Sequence, residues 1–409
     1  MNRVVVTGMA GLSPVGNSWP QIEEAFRSNR TGVVAMPEWR SYEGLLTQFA
    51  APIQDFTVPT HYSRKKTRSM GRVSLLATRA TELALDDAEL SESDLIRNGE
   101  TGVAYGSSSG SVDAMQALAS MEETKSLARL DGTSYLRAMA HTAAVNISIF
   151  FETTGRIIPS NTACTSGSQS IGYAYEAIKY GRQRIMIAGG AEELSAAAAA
   201  VFDVVFATST SNRTPVNMPR PFDRDRDGLI VGEGACTLIL EELESALERG
   251  AHVYAEIIGF GTNSDGCHVT SPSAETISKA IELALEDAEL APDEIGYVSA
   301  HATGTELGDI TESKATYEVF KRPVPISSIK GHIGHTLGAA GSLEAFLTIS
   351  MMNNGWFAPT RNLDNVDDRC APLDFITGDG RDLQCSHTMS NNFAFGGINT
   401  SLVFRRWTS

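Results

Sequence analysis

"LALDDAEL", residues 83–90, returns almost unchanged as "LALEDAEL", residues 283–290. Each closes a longer run with apolar residues at helical spacing, "ATRATELALDDAEL" (77–90) and "AETISKAIELALEDAEL" (274–290). The repeat extends outward. "VYAEIIGFGTNSDG" (253–266) resembles the opening strand and glycine turn "RVVVTGMAG" (3–11). "IGYVSAHATGT" (295–305) takes the place of "TGVAYGSSSG" (101–110), a strand ending in a Gly/Ser loop. "PISSIKGHIGHTLGAAGSLEAFLTISMM" (325–352) takes the place of "IIPSNTACTSGSQSIGYAYEAIKY" (157–180). Four matches in one order indicate an internal duplication with its seam near residue 250. Short apolar runs alternating with helical patterns make each half an α/β layer. The halves are residues 1–250 and 251–409, each with a mixed sheet. No Pro/Ser-rich linker separates them, so one compact body is expected. Functional groups should sit at equivalent strand ends and meet near a pseudo-twofold axis.

Composition bounds the function. Of 409 residues, 42% are apolar and 20% charged, enough for a large core and against disorder. A net charge of −16 argues against nucleic acid as the main partner. The most apolar stretch, "SAAAAAVFDVVFATS" (195–209), is interrupted by Asp203 and too short to span a bilayer. The opening residues lack the apolar core of a signal peptide. Five cysteines, an odd number with no C-x-x-C, fit a reducing cytoplasm and not a disulfide or zinc framework.

One cysteine stands apart. Cys164 lies among small residues just before a helical face of Ile171, Ala174, Tyr175 and Ile178. A helix N-terminus there would favour the thiolate. Cys236, Cys267, Cys370 and Cys385 read as ordinary structural thiols. "SAHATGTELGD" (299–309) puts His301 at the end of an apolar strand, followed by Thr303, Thr305 and Asp309. "SSIKGHIGHTLGAAGSLEA" (327–345) puts Lys330, His332 and His335 between a strand and a small-residue helix. A nucleophilic cysteine needs an activating environment and donors for an oxyanion. The glycine-rich "MSNNFAFGGINTSLVF" (389–404) offers the flexible backbone for such donors. "RPFDRDRDG" (220–228) reads as a salt-bridged loop, and "GMAGLSPVG" (8–16) does not match a dinucleotide fingerprint.

"NTACTSGSQSIG", "HATGTELGD", "KGHIGHTLGAAGSLEA" and "NNFAFGGINTSLVF" together resemble the signature blocks of β-ketoacyl-acyl carrier protein synthases, elongating condensing enzymes of the thiolase superfamily. The resemblance covers essentially the whole chain. It implies a thiolase-like fold, two duplicated βαβαβαββ-type halves stacked as αβαβα layers. It implies that Cys164 takes an acyl chain as a thioester, and that a malonyl-carrier protein then loses CO2 and attacks it. By the same resemblance, His301 and His335 stabilise the malonyl thioester carbonyl as it becomes an enolate. Acylation would then need little from a distant base. Lys330 orients His301 and Glu344, with Asp309 in the supporting network. The N–H groups of Cys164 and Phe395 form the oxyanion hole. Phe395 acts as a gate hinged on Gly396 and Gly397. Thr303 and Thr305 bond the pantetheine arm, and His332 is structural. The acyl pocket would include Ser109, Ala198, Phe202 and the segment 138–150.

The resemblance implies no resident cofactor and no metal, phosphopantetheine being carried by the partner acyl carrier protein. Carrier proteins are acidic, so the cations of "YSRKKTRSMGR" (62–72), Lys65 and Arg68 among them, form the expected docking patch. A cytoplasmic homodimer is expected, or a heterodimer with a related subunit. The resemblance also admits a non-catalytic chain-length-factor-like partner of another ketosynthase. Its usual mark is loss of the nucleophile, and Cys164 is present. Ala302, Gly304, Ala394, Ile398 and the "TSG" after Cys164 depart from the family pattern. They suggest a specialised polyketide or polyene enzyme in place of a housekeeping one.

Overall fold

The computed structural model describes residues 1–408 except 212, 213, 215 and 216. Its main sheet contains β1 (Val4–Leu12), β2 (Thr101–Gly106), β3 (Ile157–Ser160), β4 (Ile185–Glu192), β5 (Gly234–Glu242), β6 (Ala255–Ser264), β7 (Tyr297–Ser299), β8 (Pro325–Ser327), β9 (Asp374–Phe375), β10 (His387–Ala394) and β11 (Ile398–Arg406). The strand order is β9-β8-β7-β10-β11-β6-β1-β5-β4-β2-β3. The first half thus reads β3-β2-β4-β5-β1 and the second β8-β7-β10-β11-β6, the same order in local numbering. Directions repeat too. β4 and β2 are parallel, as are β10 and β7, while β1·β5 and β6·β11 are antiparallel.

Each half has the mixed sheet that the sequence predicts. The two sheets join edge to edge, because β1 pairs antiparallel with β6 from Val4↔Ile257 to Val6↔Ala255. The backbone groups at those edges would otherwise be left without partners in a buried seam. β9 is an addition beyond the repeat, parallel to β8.

Seven helices complete the layers: α1 (Arg72–Asp87), α2 (Thr142–Phe151), α3 (Ser166–Lys179), α4 (Ala196–Asp203), α5 (Ala274–Ala288), α6 (Glu306–Phe320) and α7 (Ala340–Asn354). α1 and α2 cover the outer face of the first half, α5 and α6 that of the second. The repeated "DAEL" encodes the same helix end twice. Glu89 (φ +57°) and Glu289 (φ +55°) turn left-handed, and the N–H groups of Leu90 and Leu290 return to the carbonyls of Leu85 and Leu285. Gly8 and Gly259 let α1 and α5 lie directly on their strands. A Cβ at either would come within 2.4 Å of the Ala84 or Ala284 carbonyl oxygen.

α3 and α7 form the central layer. Residues 340–352 of α7 are all buried, as expected of a helix covered on every side. The two helices approach at Gly167 and Gly341. A Cβ on Gly167 would sit 2.8 Å from the Ser342 nitrogen, and one on Gly341 would sit 2.6 Å from the Ser168 nitrogen. Ile171, Ile178, Leu343, Phe346 and Leu347 fill the space beyond.

Neither helix can retreat from that crossing, since each is packed against strands. Gly341→Ala is therefore expected to destabilise the fold by about 1–3 kcal/mol, the usual range for overpacking, read as a lowered denaturant midpoint at unchanged m-value. An unshifted midpoint would show that the crossing has slack.

Candidate active site

The strand ends of both halves open on one small region. Cys164 occupies a three-residue turn, Ala163–Thr165, directly before α3. Ala163 is left-handed at φ +52°, an uncommon state for a residue with a Cβ. Ser166 stabilises it, its Oγ donating to the Ala163 carbonyl (2.7 Å) and accepting from the Thr162 N–H (3.0 Å).

His335 is fixed through its backbone. Its N–H donates to the Ile230 carbonyl (2.7 Å) and its carbonyl accepts from Gly232 (2.8 Å). Its Nε2 lies 3.0 Å from Cys164 Sγ. His301, at the end of β7, stands edge-on to His335 with ring centroids 5.1 Å apart. One Glu312 carboxylate fixes the His301 main chain, accepting the N–H groups of His301 and Ala302 at 2.7 Å each.

Beneath the histidines, the Lys330 ammonium contacts Glu344 and lies 3.4 Å from His301 Nδ1. Asn392 donates to the other Glu344 oxygen at 2.5 Å. All of these side chains are buried. Asp309 does not join this group. It accepts the N–H groups of Thr303, Gly304 and Phe222, and so shapes the turn after His301. The 220–228 loop is salt-bridged, as expected. Arg226 pairs with Asp367 (2.7 Å) and donates to the Thr305 and Glu306 carbonyls. His332 is structural, bonded to the Arg30 carbonyl (2.8 Å) and stacked on Phe26.

Burial sets the charges. It lowers both histidines well below the ordinary imidazole range, with the nearby Lys330 charge adding to the effect, so both are neutral at physiological pH. It pushes the Cys164 thiol up to about 12, outweighing the Lys330 charge and the N–H groups of Phe395 and Cys164 that favour the thiolate. This differs from the expectation that a helix N-terminus makes the resting cysteine partly thiolate. The turn does supply N–H donors, but Cys164 is buried, with only 5% of the residue exposed. A protonated thiol beside a neutral imidazole is the result.

The site opens into a cavity of about 300 Å³ lined by Cys164, His301, His335, Thr303, Thr305 and Phe395 among others. Thr303 and Thr305 face it together, their hydroxyls 3.1 Å apart. Phe395 is half-buried, and Gly396 (φ +92°) and Gly397 (φ +73°) follow it in backbone states open to glycine. Of the expected acyl-pocket residues, Phe202 lines the cavity, its ring 5.6 Å from Phe395. Ser109 and Ala198 do not. Ser109 turns its carbonyl onto Ser107, and Ala198 packs into the apolar cluster around Cys164 one helical turn before Phe202. Lys65 and Arg68 are exposed and have no ion-pair partner among the described residues, whereas Lys66 is bonded to the Phe150 carbonyl.

Sequence reasoning passed over Glu312, Asn392 and Glu192. Glu312 was open to detection: it follows Asp309 by three residues on α6, so both carboxylates face the same loop. Asn392 and Glu192 carry no local signal.

Residues 1–246 match the β-ketoacyl synthase N-terminal domain and residues 254–364 the C-terminal domain of that family. The chain belongs to the β-ketoacyl synthases. It is 37% identical over 413 residues to 3-oxoacyl-[acyl-carrier-protein] synthase 2 of Vibrio harveyi, covering 99% of this chain and 98% of that protein. The crystal structure of a β-ketoacyl synthase from Burkholderia phymatum STM815 is 55% identical and covers all of both chains, at a TM-score of 0.99. The ishigamide ketosynthase/chain length factor is 31% identical over all of both chains, at a TM-score of 0.91. Among the described residues of this synthase, no helix is long and apolar enough to cross a membrane.

The thiol state is directly measurable. The rate of Cys164 alkylation by iodoacetamide should climb about tenfold per pH unit from pH 7 to 9, because only the thiolate reacts. A plateau below pH 8 would mean that the helix N-terminus wins over burial.

Proposed function

We infer that this β-ketoacyl synthase joins an acyl group on Cys164 to a malonyl group on acyl carrier protein, lengthening the chain by two carbons. The contact between Cys164 Sγ and His335 Nε2 at 3.0 Å carries the reading, and the N–H groups of Phe395 and Cys164 favour the thiolate.

His335 accepts the thiol proton as the sulfur attacks the carbonyl carbon of an acyl thioester. The N–H groups of Cys164 and Phe395 meet the oxyanion. Collapse releases the pantetheine sulfur, which takes the proton, and leaves acyl-Cys164. Malonyl-carrier protein then enters past Phe395, its arm bonded by Thr303 and Thr305. Its C–C bond to the carboxylate breaks, and the electron pair develops as an enolate on the thioester oxygen. His301 and His335 meet that charge. The carbanion attacks the acyl-Cys164 carbonyl, the C–S bond breaks, and the thiolate takes up a proton from solvent, the one that loss of CO2 consumes overall. Lys330, paired with Glu344, keeps the imidazoles neutral and biases the site toward the developing anions. The Cys–His–His set, with ligand atoms within 4.8 Å of one another, also has the shape of a metal trap. The Lys330 cation 3.4 Å from His301 opposes a second cation there, which favours the catalytic reading.

Two surfaces support the partners. Lys65 and Arg68 give an acidic carrier protein a basic foothold on a chain of net charge −16. β3 stands at the end of the sheet with Ile157 and the neighbouring Ile149 exposed, which supports pairing with a second copy of the chain.

Cys164→Ala should abolish the acyl adduct in intact-mass analysis. His301→Ala should keep the adduct but suppress CO2 release from malonyl-carrier protein by about 10²–10³, the usual cost of losing one such donor. An adduct on the Cys164→Ala variant, or wild-type CO2 release by His301→Ala, would sink these roles.

Reversing charge with Lys65→Glu and Arg68→Glu should raise the apparent KM for carrier protein several-fold, and less so at high salt. The KM for a simple pantetheine thioester should stay as it was. Equal KM values for carrier protein in both enzymes would remove the patch from the docking surface.

A further inference from the structure

The second half contains a copy of the nucleophile turn. Leu337–Ala339 is a three-residue turn directly before α7, as Ala163–Thr165 is before α3. The first residue of each is left-handed without being glycine, Leu337 at φ +47° and Ala163 at φ +52°. Gly338 therefore occupies the place of Cys164. Its N–H corresponds to the N–H that Cys164 aims at its own reaction centre.

That second N–H is already taken. The Glu192 carboxylate, at the end of β4 and buried, accepts the N–H of Gly338 at 3.0 Å and that of Ser108 at 2.8 Å through one oxygen. No side chain fits at Gly338, since a Cβ would come 2.8 Å from the Glu192 oxygen and 2.7 Å from the Ser108 nitrogen. A buried carboxyl group thus fills the copy of the oxyanion hole. The turn it holds begins two residues after His335.

We propose that Glu192 is a positioning residue of the condensing site: its carboxylate closes the pseudo-symmetric anion hole, locks the turn that follows His335, and acts electrostatically on Cys164. The inference rests on the proposed roles of Cys164 and His335 for its turnover readout only. Two separable effects follow. The hydrogen bonds fix where His335 points, and the charge opposes a thiolate. His301 and His335 lie beside the thiol, the charges of Lys330 and Glu192 bear on it, and Glu193 is the charge bearing on Glu192 itself. Glu192 is among the factors that raise the Cys164 thiol, and its own carboxyl is raised to about 7, chiefly by burial.

Glu192→Gln keeps an acceptor for both N–H groups and removes the charge; Glu192→Ala removes both. With Glu192→Gln, the line of Cys164 alkylation rate against pH should move to lower pH, giving several-fold faster alkylation at pH 8. With Glu192→Ala, kcat for condensation should fall by at least about tenfold, as a small misplacement of a reacting group can cause, at similar KM. Glu192→Gln should restore most of that loss. Alkylation needs no acyl substrate, so it reports on Glu192 even if the condensation chemistry is misassigned. An alkylation line for Glu192→Gln that overlays the wild type overturns the charge role, and wild-type kcat in Glu192→Ala overturns the positioning role. Should Glu192→Ala fail to fold, the alkylation line and kcat of Glu192→Gln decide: an unshifted line or a kcat as low as that of His335→Ala overturns the proposal.

Discussion

The close crossing of α3 and α7 at Gly167 and Gly341 is the contact on which the site depends. Each helix carries a tight turn at its N-terminal end, and the crossing lies two to three residues beyond those turns. Bringing the glycines into van der Waals contact therefore brings the two turns together as well. Cys164 comes from one and His335 leads into the other. Neither half could build this site alone, because each contributes only one side of it. The continuous sheet, joined at β1 and β6, holds the halves at the separation that the two glycines permit.

Water exclusion is the second consequence. With the central helices buried, Lys330, Glu344 and the histidines lie where a lone charge is costly. The lysine and glutamate offset one another, and Asn392 bonds the second carboxylate oxygen. Burial nonetheless holds Glu344 above its ordinary range. The same environment keeps the imidazoles uncharged. Neutral imidazole can accept a thiol proton in one stage and donate to an enolate oxygen in the next, which a permanently protonated ring could not do. In the proposed two-stage reaction, a buried site also spares the acyl thioester from hydrolysis.

Much of this was legible in the sequence because duplication writes the same constraint twice. "LALDDAEL" and "LALEDAEL" specify a helix stop that recurs down to the left-handed glutamate. Cys164, His301, Lys330 and His335 stood out as chemistry-bearing residues among small ones at strand ends. What escaped depends on long-range contact. Glu192, 146 residues before Gly338, is a carboxylate in a strand until the fold places it on that N–H. The seam between β1 and β6 involves three residue pairs, too few to leave a pattern. The thiol's state was misread because a helix N-terminus is visible in sequence and depth of burial is not. Of the three expected acyl-pocket residues only Phe202 reaches the cavity, because side-chain direction, which decides it for Ser109 and Ala198, is not visible in the sequence.

The two turns also show how a symmetric frame becomes an asymmetric catalyst. Both retain the strained left-handed residue, a cost of order 1 kcal/mol each, so both backbones still present an N–H in the same way. One N–H faces an open cavity beside a sulfur; the other faces a carboxylate supplied by the chain itself. An unfilled anion hole buried at Gly338 would be an unsatisfied donor, which costs about 1–3 kcal/mol. Filling it with Glu192 removes that cost and fixes the adjoining histidine loop. In the proposed reaction the hole at Cys164 is left for the oxyanion, so the donor is satisfied most fully only while charge develops there. The difference between a structural turn and a catalytic one is thus which anion the fold provides and which it leaves to the substrate.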